Sequence, residues 1–430
     1  MSNQPRSIPA AYRLALLILA ATALLLICGC KREDGKVTTI QFLLCTTDSE
    51  EPTLRALIAK FEKRHPRIKV DVQLVGWGMM FDKLMIVSAG QGKADVARIS
   101  SEWFHPLAAR GLLAPLDDYV KRDHFDIDDF YPQSIDGWGR YKGVLYELPT
   151  DIDIYALYYN KDMFDKCHVP YPDWSWDWNR FVEVSKKLTK DLNGDGKLDQ
   201  WGCAPDYWWQ SYVFSNGGSV VSKDLRKCML DQPAAYNGLQ FMGDLVSKYQ
   251  VAPNANDLSN FDFNKLFTSG KIGMIISGPW APELLFSKEV KFAYDVAPIP
   301  KGPAARATFI GGAAYGVLRG SRHKDEAWEL VKFMTGKEYQ RSSAILSGLV
   351  PSRRSVAESV AYLEREKPPR SRHVVLQMIK YGRARPGVAC MQEMEQVVLS
   401  ELDLVRSGRK SAKEACKKIT PVIDELLRHQ

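Results

Sequence analysis

The sequence predicts an α/β protein in which helices cover a sheet that begins with parallel strands, and three consecutive segments near the start support this fold class. Residues 37–44 form an apolar, β-branched run that is typical of a buried strand. Pro52 then stands at a favoured first-turn position, and apolar residues recur with the spacing of one helix face at Leu54, Leu57, Ile58 and Phe61. Residues 68–74 alternate strictly between apolar and polar side chains and predict a second strand. A strand, a helix and a strand in this order favour a parallel pair.

Later segments continue this pattern over a chain of 430 residues, which is long enough for two or three domains. Residues 272–277 and 315–318 are short strand candidates. A helical stripe follows at Ala327, Leu330, Val331 and Met334, and the pattern from residue 354 onward is nearly all helical. With 45% apolar and 25% charged residues, the composition is that of a globular protein and excludes a disordered or polytopic membrane protein.

The first 29 residues predict an export signal. Arg6 and Arg13 precede an apolar run of 14 residues from Leu14 to Ile27, which is too short to cross a bilayer of about 30 Å as a helix. The ending Ile27-Cys28-Gly29-Cys30 resembles a bacterial lipobox, which implies cleavage before Cys30 and acylation of that residue. An uncleaved anchor or an ordinary secretory leader is the alternative, and each reading predicts export. Residues 30–36 form a linker.

The formal charge of +7 does not indicate nucleic-acid binding. Without the two leader arginines the mature chain carries +5, and residues 351–430 alone carry +6. That basic segment contains two tyrosines, Tyr362 and Tyr381, and no Phe or Trp. Nucleic-acid recognition would require basic residues interleaved with aromatic ones on one surface. A solvated helical face explains the excess charge.

Cysteine and histidine spacing gives no metal or nucleophile motif. Six cysteines remain after the leader, none of them in a CxxC or CxxH pattern, so structural zinc is not predicted. They permit up to three disulfides in an oxidising compartment, and their pairing stays open: Cys45, Cys167, Cys203, Cys228, Cys390 and Cys416. The seven histidines form no HExxH pattern, and we expect no catalytic cofactor.

Five segments resemble, in order, the family 1 extracellular solute-binding proteins, which are maltose-binding-like receptors of ABC importers. The most informative is Pro149 to Lys166, which departs from the family pattern at Thr150, where an apolar residue is usual. The resemblance covers about residues 40–430, and the other segments are 54–70, 272–280, Gly311-Gly312 with 324–333, and 348–352.

The resemblance implies two α/β lobes joined by a hinge, with a solute-binding cleft between them. Lobe one would comprise residues 37–152 and 308–350, and lobe two residues 153–307 and 351–430. The solute would stabilise the closed state, which an ABC permease in the membrane would then recognise. We expect a monomer held at the membrane by a lipid anchor.

Aromatic content suggests a sugar as the solute. Ten of the 11 tryptophans lie between Trp77 and Trp280, and sugars require flat aromatic platforms together with polar side chains that bind hydroxyl groups. Thr47, Asp48 and Glu50 end the first strand, where sheet topology places ligand groups. The positions carried over from the resemblance are Glu102, Trp103, Asp151, Tyr207, Trp208, Trp280, Gly312, Arg383 and Arg385.

Packing is the alternative role for many of these aromatic residues. Trp174, Trp176 and Trp178 surround a predicted helix start, and Trp328 lies on a core stripe. Trp77, between two glycines, fits either a cleft rim or packing. Tyr207 and Trp208 are neighbours in the chain and cannot both face one cleft if they lie in a strand. An acidic solute such as a uronate would instead depend on Arg98, Arg383 or Arg385.

Residues 191–202 predict a structural calcium site that resembles an EF-hand loop. Glycine stands at position 6 for the tight turn, but position 12 is Gly202 rather than glutamate, so other oxygens must complete the coordination. An Asn/Gly-rich turn without an ion is the alternative. The predicted ligands are Asp191, Asn193, Asp195, Lys197 through its carbonyl, Asp199 and Gln200.

Two other classes of exported protein remain open. A glycoside hydrolase would need two carboxyl groups flanking the bond, and Glu102, Asp151 and Asp153 are available acids. No GxSxG, HExxH, Walker or dinucleotide motif is present, which favours binding without catalysis. A carbohydrate-binding surface protein without a transport role is the other alternative.

Overall fold

The computed structural model describes residues 37–45, 51–90, 93–205, 208–258, 262–286 and 289–429. The predicted leader, Cys30, Thr47, Asp48, Glu50 and Tyr207 lie outside these residues. No helix among the described residues has both the length and the apolar composition to cross a membrane. No disulfide joins the cysteines of the described part of the chain.

Fifteen strands are found in the described residues. They are β1 Thr38–Leu44, β2 Ile68–Leu74, β3 Val96–Ser100, β4 Arg140–Tyr141, β5 Val144–Leu145, β6 Glu147–Pro149, β7 Asp151–Ile154, β8 Ala156–Asn160, β9 Trp201–Ala204, β10 Ile272–Ser277, β11 Tyr294–Ala297, β12 Thr308–Gly311, β13 Ala313–Val317, β14 Val350–Pro351 and β15 Gly382–Arg383.

Helices surround these strands. They are α1 Glu51–Arg64, α2 Trp77–Ser88, α3 Ser101–Ala109, α4 Asp117–Arg122, α5 Pro132–Ser134, α6 Lys161–Lys166, α7 Trp178–Leu188, α8 Gln210–Ser215, α9 Pro233–Ser247, α10 Phe263–Thr268, α11 Lys324–Met334, α12 Lys337–Ser347, α13 Arg354–Ala357, α14 Val360–Leu363, α15 Arg372–Met378, α16 Met391–Arg406 and α17 Ala412–Arg428. Short π-helical turns span Ile135–Gly139 and Pro282–Phe286, and a 3₁₀ turn spans Ile379–Tyr381.

Two main sheets form the two lobes. The first has the strand order β2-β1-β3-β13-β6, and the second has the order β11-β8-β10-β9. The predicted parallel pair is present, because β1 lies parallel to both β2 and β3. Each sheet is nevertheless mixed, since β13 returns antiparallel to β3 and β8 lies antiparallel to β10. The chain reaches these antiparallel positions by crossing between the lobes, which local patterns do not reveal.

A third sheet joins the lobes and forms the hinge. Its order is β14-β7-β12-β15, and the chain passes through it on its way from each main sheet to the other. β7 leads directly into β8 of the second sheet, and β12 leads directly into β13 of the first. Short hydrogen-bonded crossings of this kind restrict relative motion of the lobes to bending about the hinge.

Two buried apolar clusters each belong to one lobe, and a third contains residues of both main sheets, among them Ile99 and Ile275. In lobe one, Phe61 of α1 and Trp328 of α11 pack against the buried face of the first sheet. In lobe two, α7, α9, α16 and α17 contribute to a larger core that contains Trp209 and Met394. Trp176 packs on Phe164, and Trp178 stacks on Phe241 with 4.0 Å between ring centroids, so these two aromatic residues are structural.

Glu147 in β6 is a buried acid within lobe one. Neither of its carboxyl oxygens has a hydrogen-bond partner among the described residues, and the residue is fully buried. Desolvation raises the pKa of this carboxyl well above its usual value, because burial penalises the charged form. Burial therefore favours the protonated, neutral form of the Glu147 carboxyl in the folded protein.

We expect Glu147→Gln to remove a pH-dependent component of stability. Because the folded-state pKa of Glu147 exceeds its unfolded-state pKa, its contribution is complete below the unfolded pKa and is lost as pH rises toward the folded pKa. Relative to the Gln variant, the wild-type free energy of unfolding should fall by up to about 1.4 kcal/mol per pH unit above about pH 4.5. Urea unfolding at several pH values measures this slope. Glu366→Gln, at an exposed position, is the control, and identical slopes for wild type and Glu147→Gln would contradict the expectation.

Candidate ligand-binding cavity

A cavity of about 580 Å³ is lined by residues of both main sheets and of the hinge sheet. Its aromatic lining comprises Trp77, Tyr155, Trp208, Phe263, Trp280 and Phe309. Its polar lining comprises Arg98, Ser100, Ser101, Glu102, Asp151, Asp153, Asp262, Asn264 and Ser277. Both kinds of side chain come from segments that lie far apart in the sequence and meet only at the interlobe crossings.

On the lobe-one side, the aromatic surface is a pair of tryptophans. Trp77 begins α2 and is 47% exposed, whereas Trp103 of α3 is 6% exposed and lies behind it, with 5.1 Å between ring centroids. Arg98 lies 6.0 Å from the Trp77 ring centroid. Trp77 therefore provides the accessible ring, and Trp103 supports it.

Near the hinge, the aromatic surface is a cluster of three rings. Trp208 and Phe309 stack at 4.3 Å with an angle of 15° between their planes, and Tyr155 meets each of them edge-on at 5.9 Å. Arg385 lies against Trp208, with its guanidinium carbon 4.5 Å from the ring centroid. Arg385 is not among the lining residues. The guanidinium thus holds the platform in place without forming part of the cavity surface.

Asp151 ties the hinge to lobe one. Its carboxylate accepts hydrogen bonds from the backbone N–H of Ala313 at 2.8 Å and from the hydroxyl of Thr150 at 2.8 Å. Arg98 approaches the same carboxylate at 3.5 Å and donates to the carbonyl of Cys45 at 3.1 Å. Thr150 replaces the apolar residue that the family pattern expects, and its hydroxyl helps to satisfy this buried charge.

Glu102 begins a second charged network, which connects the lobes. Arg385 lies 4.0 Å from Glu102 of α3 and 3.5 Å from Glu395 of α16, and the amide of Gln392 donates to the Glu102 carbonyl at 3.1 Å. Burial raises the pKa of Glu102, Arg385 opposes this shift, and Glu395 adds to it. Glu395 also accepts hydrogen bonds from the indole of Trp209 at 2.9 Å and from Gln210 at 3.1 Å. Arg385 is therefore shared between two acids on opposite sides of the cleft.

Two glycines allow close approaches beside the cavity. A Cβ at Gly278 would lie 2.4 Å from the indole nitrogen of Trp280, so the ring can fold back over the chain only because this residue is glycine. A Cβ at Gly312 would lie 2.3 Å from the carbonyl oxygen of Asp151. Gly312 is thus placed at the hinge, where it permits the contact between β7 and the start of β13.

The structure places the sequence-predicted residues in three groups. Glu102, Asp151, Trp208 and Trp280 line the cavity. Trp103, Gly312 and Arg385 lie immediately behind lining residues. Arg383 is exposed and is absent from the lining, and the remaining four predicted residues fall outside the described residues.

Several lining residues were not among those predictions. Asp153 and Tyr155 follow Asp151 at intervals of two, so one face of an extended segment carries all three, and all three line the cavity. This alternation was a usable sequence signal. Asp262, Asn264 and Phe309 carried no comparable signal, because their role depends on the positions of α10 and the hinge.

The predicted calcium loop lies in lobe two, and its acids face the loop's own backbone. The N–H groups of Gly196 and Gly194 donate to Asp191, and the first of these is the main cause of a lowered pKa for that carboxyl. Asp199 accepts a hydrogen bond from the backbone N–H of Leu192 at 2.9 Å. Asn193 and Asp195 each accept one from the backbone N–H two residues ahead in the chain. The side-chain amide of Gln200 donates to the Leu188 carbonyl. In the described part of the chain, no three His, Cys, Asp or Glu side chains form a group suited to a metal ion. Calcium binding stays a prediction.

Comparison with known proteins identifies the family. The galactooligosaccharide-binding protein of Bacillus subtilis is 24% identical over 411 residues, which cover 93% of each chain. An ABC substrate-binding protein of Listeria monocytogenes, solved in complex with cycloalternan, is 26% identical with a TM-score of 0.82 over 90% of this chain and 98% of the other. The GacH receptor of Streptomyces glaucescens, solved unliganded and with acarbose, is 27% identical with a TM-score of 0.77 over 91% of this chain and 98% of the other.

These similarities confirm the predicted two-lobed α/β fold. The profile of a family described as bacterial extracellular solute-binding protein matches residues 47–341. This match spans more than half of the chain and includes β7, the hinge crossings at β12 and most of the cavity lining. The protein belongs to the family of bacterial extracellular solute-binding proteins.

Proposed function

We propose that this protein captures a sugar or oligosaccharide between its lobes and delivers it to an ABC-type permease. The observation that carries the proposal is the interlobe cavity, whose lining combines six aromatic side chains with carboxylate, amide and hydroxyl groups. Sugars present an apolar C–H face and a rim of hydroxyl groups, and these two surfaces match aromatic platforms and polar acceptors respectively. The relatives also support a sugar ligand, because their names and titles give galactooligosaccharides, cycloalternan and acarbose as what they bind.

Closure driven by the ligand is expected because the residues that line the cavity belong to different lobes. Trp77 and Glu102 belong to lobe one, whereas Trp208 and Trp280 belong to lobe two. A sugar that contacts both sets stabilises the closed state relative to the open one, because its differential affinity sets the population shift. The permease can then distinguish the loaded receptor by its shape.

Export and membrane anchoring complete the proposal. The family is extracellular, which agrees with a cleaved leader before Cys30. We infer that acylated Cys30 and the linker to residue 36 tether a monomeric receptor beside its permease. Members of the family are solute-binding proteins rather than enzymes, so we expect saturable binding of oligosaccharides without turnover.

A thermal-shift screen with a sugar library is expected to find at least one stabilising ligand, and the aromatic platforms should then determine its affinity. Trp280→Ala should raise Kd at least tenfold, since a lost stacking surface is worth about 1.4 kcal/mol or more. Trp208→Ala should also raise Kd, because Trp208, which is 5% exposed, packs on Phe309 and Arg385 and supports the hinge side of the cavity. Isothermal titration calorimetry measures both. Trp174→Ala is the matched control, because Trp174 is exposed and lies outside this cavity. Unchanged Kd values in both variants would contradict the assignment.

Arg385 and Arg383 provide a second test, because they are two residues apart and only one of them supports a platform. Arg385→Met should raise Kd at least fivefold by releasing Trp208 and leaving two acids without their shared cation, whereas Arg383→Met should stay within twofold of wild type. Arg385→Lys, which keeps the charge but not the planar stack, should fall between them. Equal effects of the two methionine variants would overturn the supporting role.

Calcium is tested separately by melting curves. If the loop at 191–200 binds the ion, excess calcium should raise Tm relative to excess chelator, because a ligand that binds only the folded state stabilises it. Asp191→Asn and Asp199→Asn should each reduce the shift, since they remove negative ligand charge. The same Tm in calcium and in chelator would remove the calcium site from the proposal.

A further inference from the structure

A second cavity, of about 540 Å³, lies beside the start of two hinge strands. Arg306 stands two residues before β12 and Tyr381 stands directly before β15, and the two strands pair at Thr308 and Gly382. Among the described residues, this cavity shares no lining residue with the interlobe cavity. Its volume is typical of a small-molecule site, which occupies about 300–1,000 Å³. The lining comprises Trp174, Lys301, Arg306, Gln377, Lys380 and Tyr381.

Three of these six lining residues are cations, namely Lys301, Arg306 and Lys380. In the described part of the chain, none of the three forms an ion pair with an acid. A concave surface that collects charges of one sign attracts ligands of the opposite sign. The lining is therefore suited to an anion.

The two acids nearest to these cations in the chain are engaged elsewhere. Asp173, whose charge acts on Arg306, accepts hydrogen bonds from the backbone N–H of Ser175 at 2.7 Å and from its hydroxyl at 2.5 Å. Asp177, whose backbone forms a bridge with that of Lys301, accepts the backbone N–H of Arg180 at 2.8 Å. Neither acid lines the cavity.

Arg306 places a fixed positive charge in the cavity wall. Its guanidinium donates to the carbonyls of Ile299, of Trp174 at 2.6 Å and of Trp176 at 3.5 Å. These carbonyls hold the side chain in one position but carry no full negative charge. Burial lowers the pKa of Arg306, because desolvation penalises the charged form, yet a guanidinium remains protonated in proteins.

Two aromatic rings position two of the cations. The guanidinium carbon of Arg306 lies 5.1 Å from the Trp174 ring centroid, and the ammonium group of Lys380 lies 4.9 Å from that of Tyr381 and 5.9 Å from that of Trp174. The two rings are themselves 5.9 Å apart. Cation–π attraction therefore gathers both positive charges around one aromatic pair, and a ligand that binds there has less side-chain motion to arrest.

A phosphate group matches this lining better than a carboxylate or a neutral sugar. A phosphate monoester carries a charge of about −1.5 to −2 near neutral pH and presents three acceptor oxygens. It can therefore satisfy several cations at once, whereas a carboxylate brings a single charge. Lysine ammonium groups bind phosphate as point charges and do not require the planar geometry of an arginine fork. Gln377, which is exposed, adds an amide that can bind a hydroxyl group of the same molecule.

We propose that this second cavity binds the phosphate group of a small molecule, with Lys301, Arg306 and Lys380 supplying the charge and the Trp174–Tyr381 pair holding two of these cations in place. The inference does not depend on the identity of the sugar in the interlobe cavity, because the two cavities have different linings.

The first experiment measures binding of three anions by isothermal titration calorimetry. The probes are inorganic phosphate, glucose 6-phosphate and glucuronate. We expect the better of the two phosphates to bind at least tenfold more tightly than glucuronate, with a Kd that rises as salt screens the cations. Tighter binding of glucose 6-phosphate would identify an organic phosphate as the ligand, and equal affinities would identify the free anion. Either result supports phosphate recognition.

The second experiment removes the charges. Lys301→Gln and Lys380→Gln should each raise the Kd for phosphate at least threefold, and the double variant should raise it at least tenfold. Both lysines are exposed, so the variants should retain the fold. Trp174→Ala should also raise this Kd at least threefold, because Arg306 and Lys380 lose the ring that positions them. Lys413→Gln is the matched control, because Lys413 is an exposed lysine outside the cavity lining.

The outcomes are independent of those for the sugar receptor. Absence of phosphate binding to the wild-type protein, or phosphate binding that the double lysine variant retains, would overturn this inference. Trp280→Ala should leave the phosphate affinity unchanged, and the double lysine variant should leave the affinity for a stabilising sugar unchanged. Phosphate binding at this cavity without any sugar ligand would overturn the receptor proposal and leave the second site standing.

Discussion

The buried carboxylate of Asp151 is the constraint on which the arrangement of the lobes depends. It begins β7, accepts the Ala313 N–H and the Thr150 hydroxyl, and faces Arg98 of β3. A charge this deeply buried is tolerated only when its hydrogen bonds are satisfied, so the three chain segments must meet in one geometry. Gly312 makes the meeting possible, since a side chain there would collide with the Asp151 backbone. The first sheet and the hinge are thereby joined where the cavity begins.

The cavity surface is supported from behind on each side. Trp103 lies behind Trp77 in lobe one, and Arg385 lies behind Trp208 near the hinge. An aromatic platform whose position is already determined loses little entropy when a ligand stacks on it, which is the physical advantage of this second layer. Arg385 additionally joins Glu102 and Glu395 across the cleft, so the support of the platform and the contact between lobes involve the same guanidinium.

Sequence prediction reached residues of the cavity lining where a local pattern carried the information, and it missed lining residues where no such pattern existed. Asp151 was found through a motif, and the interval of two that continues to Asp153 and Tyr155 could have extended that result. Arg383 and Arg385 look equivalent in the sequence, yet one is exposed and the other is buried against Trp208. Residues two apart in one strand would face the same side, but β15 ends at Arg383, so the position of Arg385 depends on partners that are distant in the chain.

The sequence by itself determined the α/β class, the bounds of β2 and α11 to within a few residues, and membership of a solute-binding family. These features follow from side-chain periodicity and from contiguous motifs, which are local properties. Only the tertiary structure decided that the sheets are mixed, that Trp77 is accessible while Trp103 is buried, and that aromatic and acidic side chains from both lobes line one cavity. Those features arise where three crossings bring together segments separated by more than a hundred residues, and no local pattern encodes that juxtaposition.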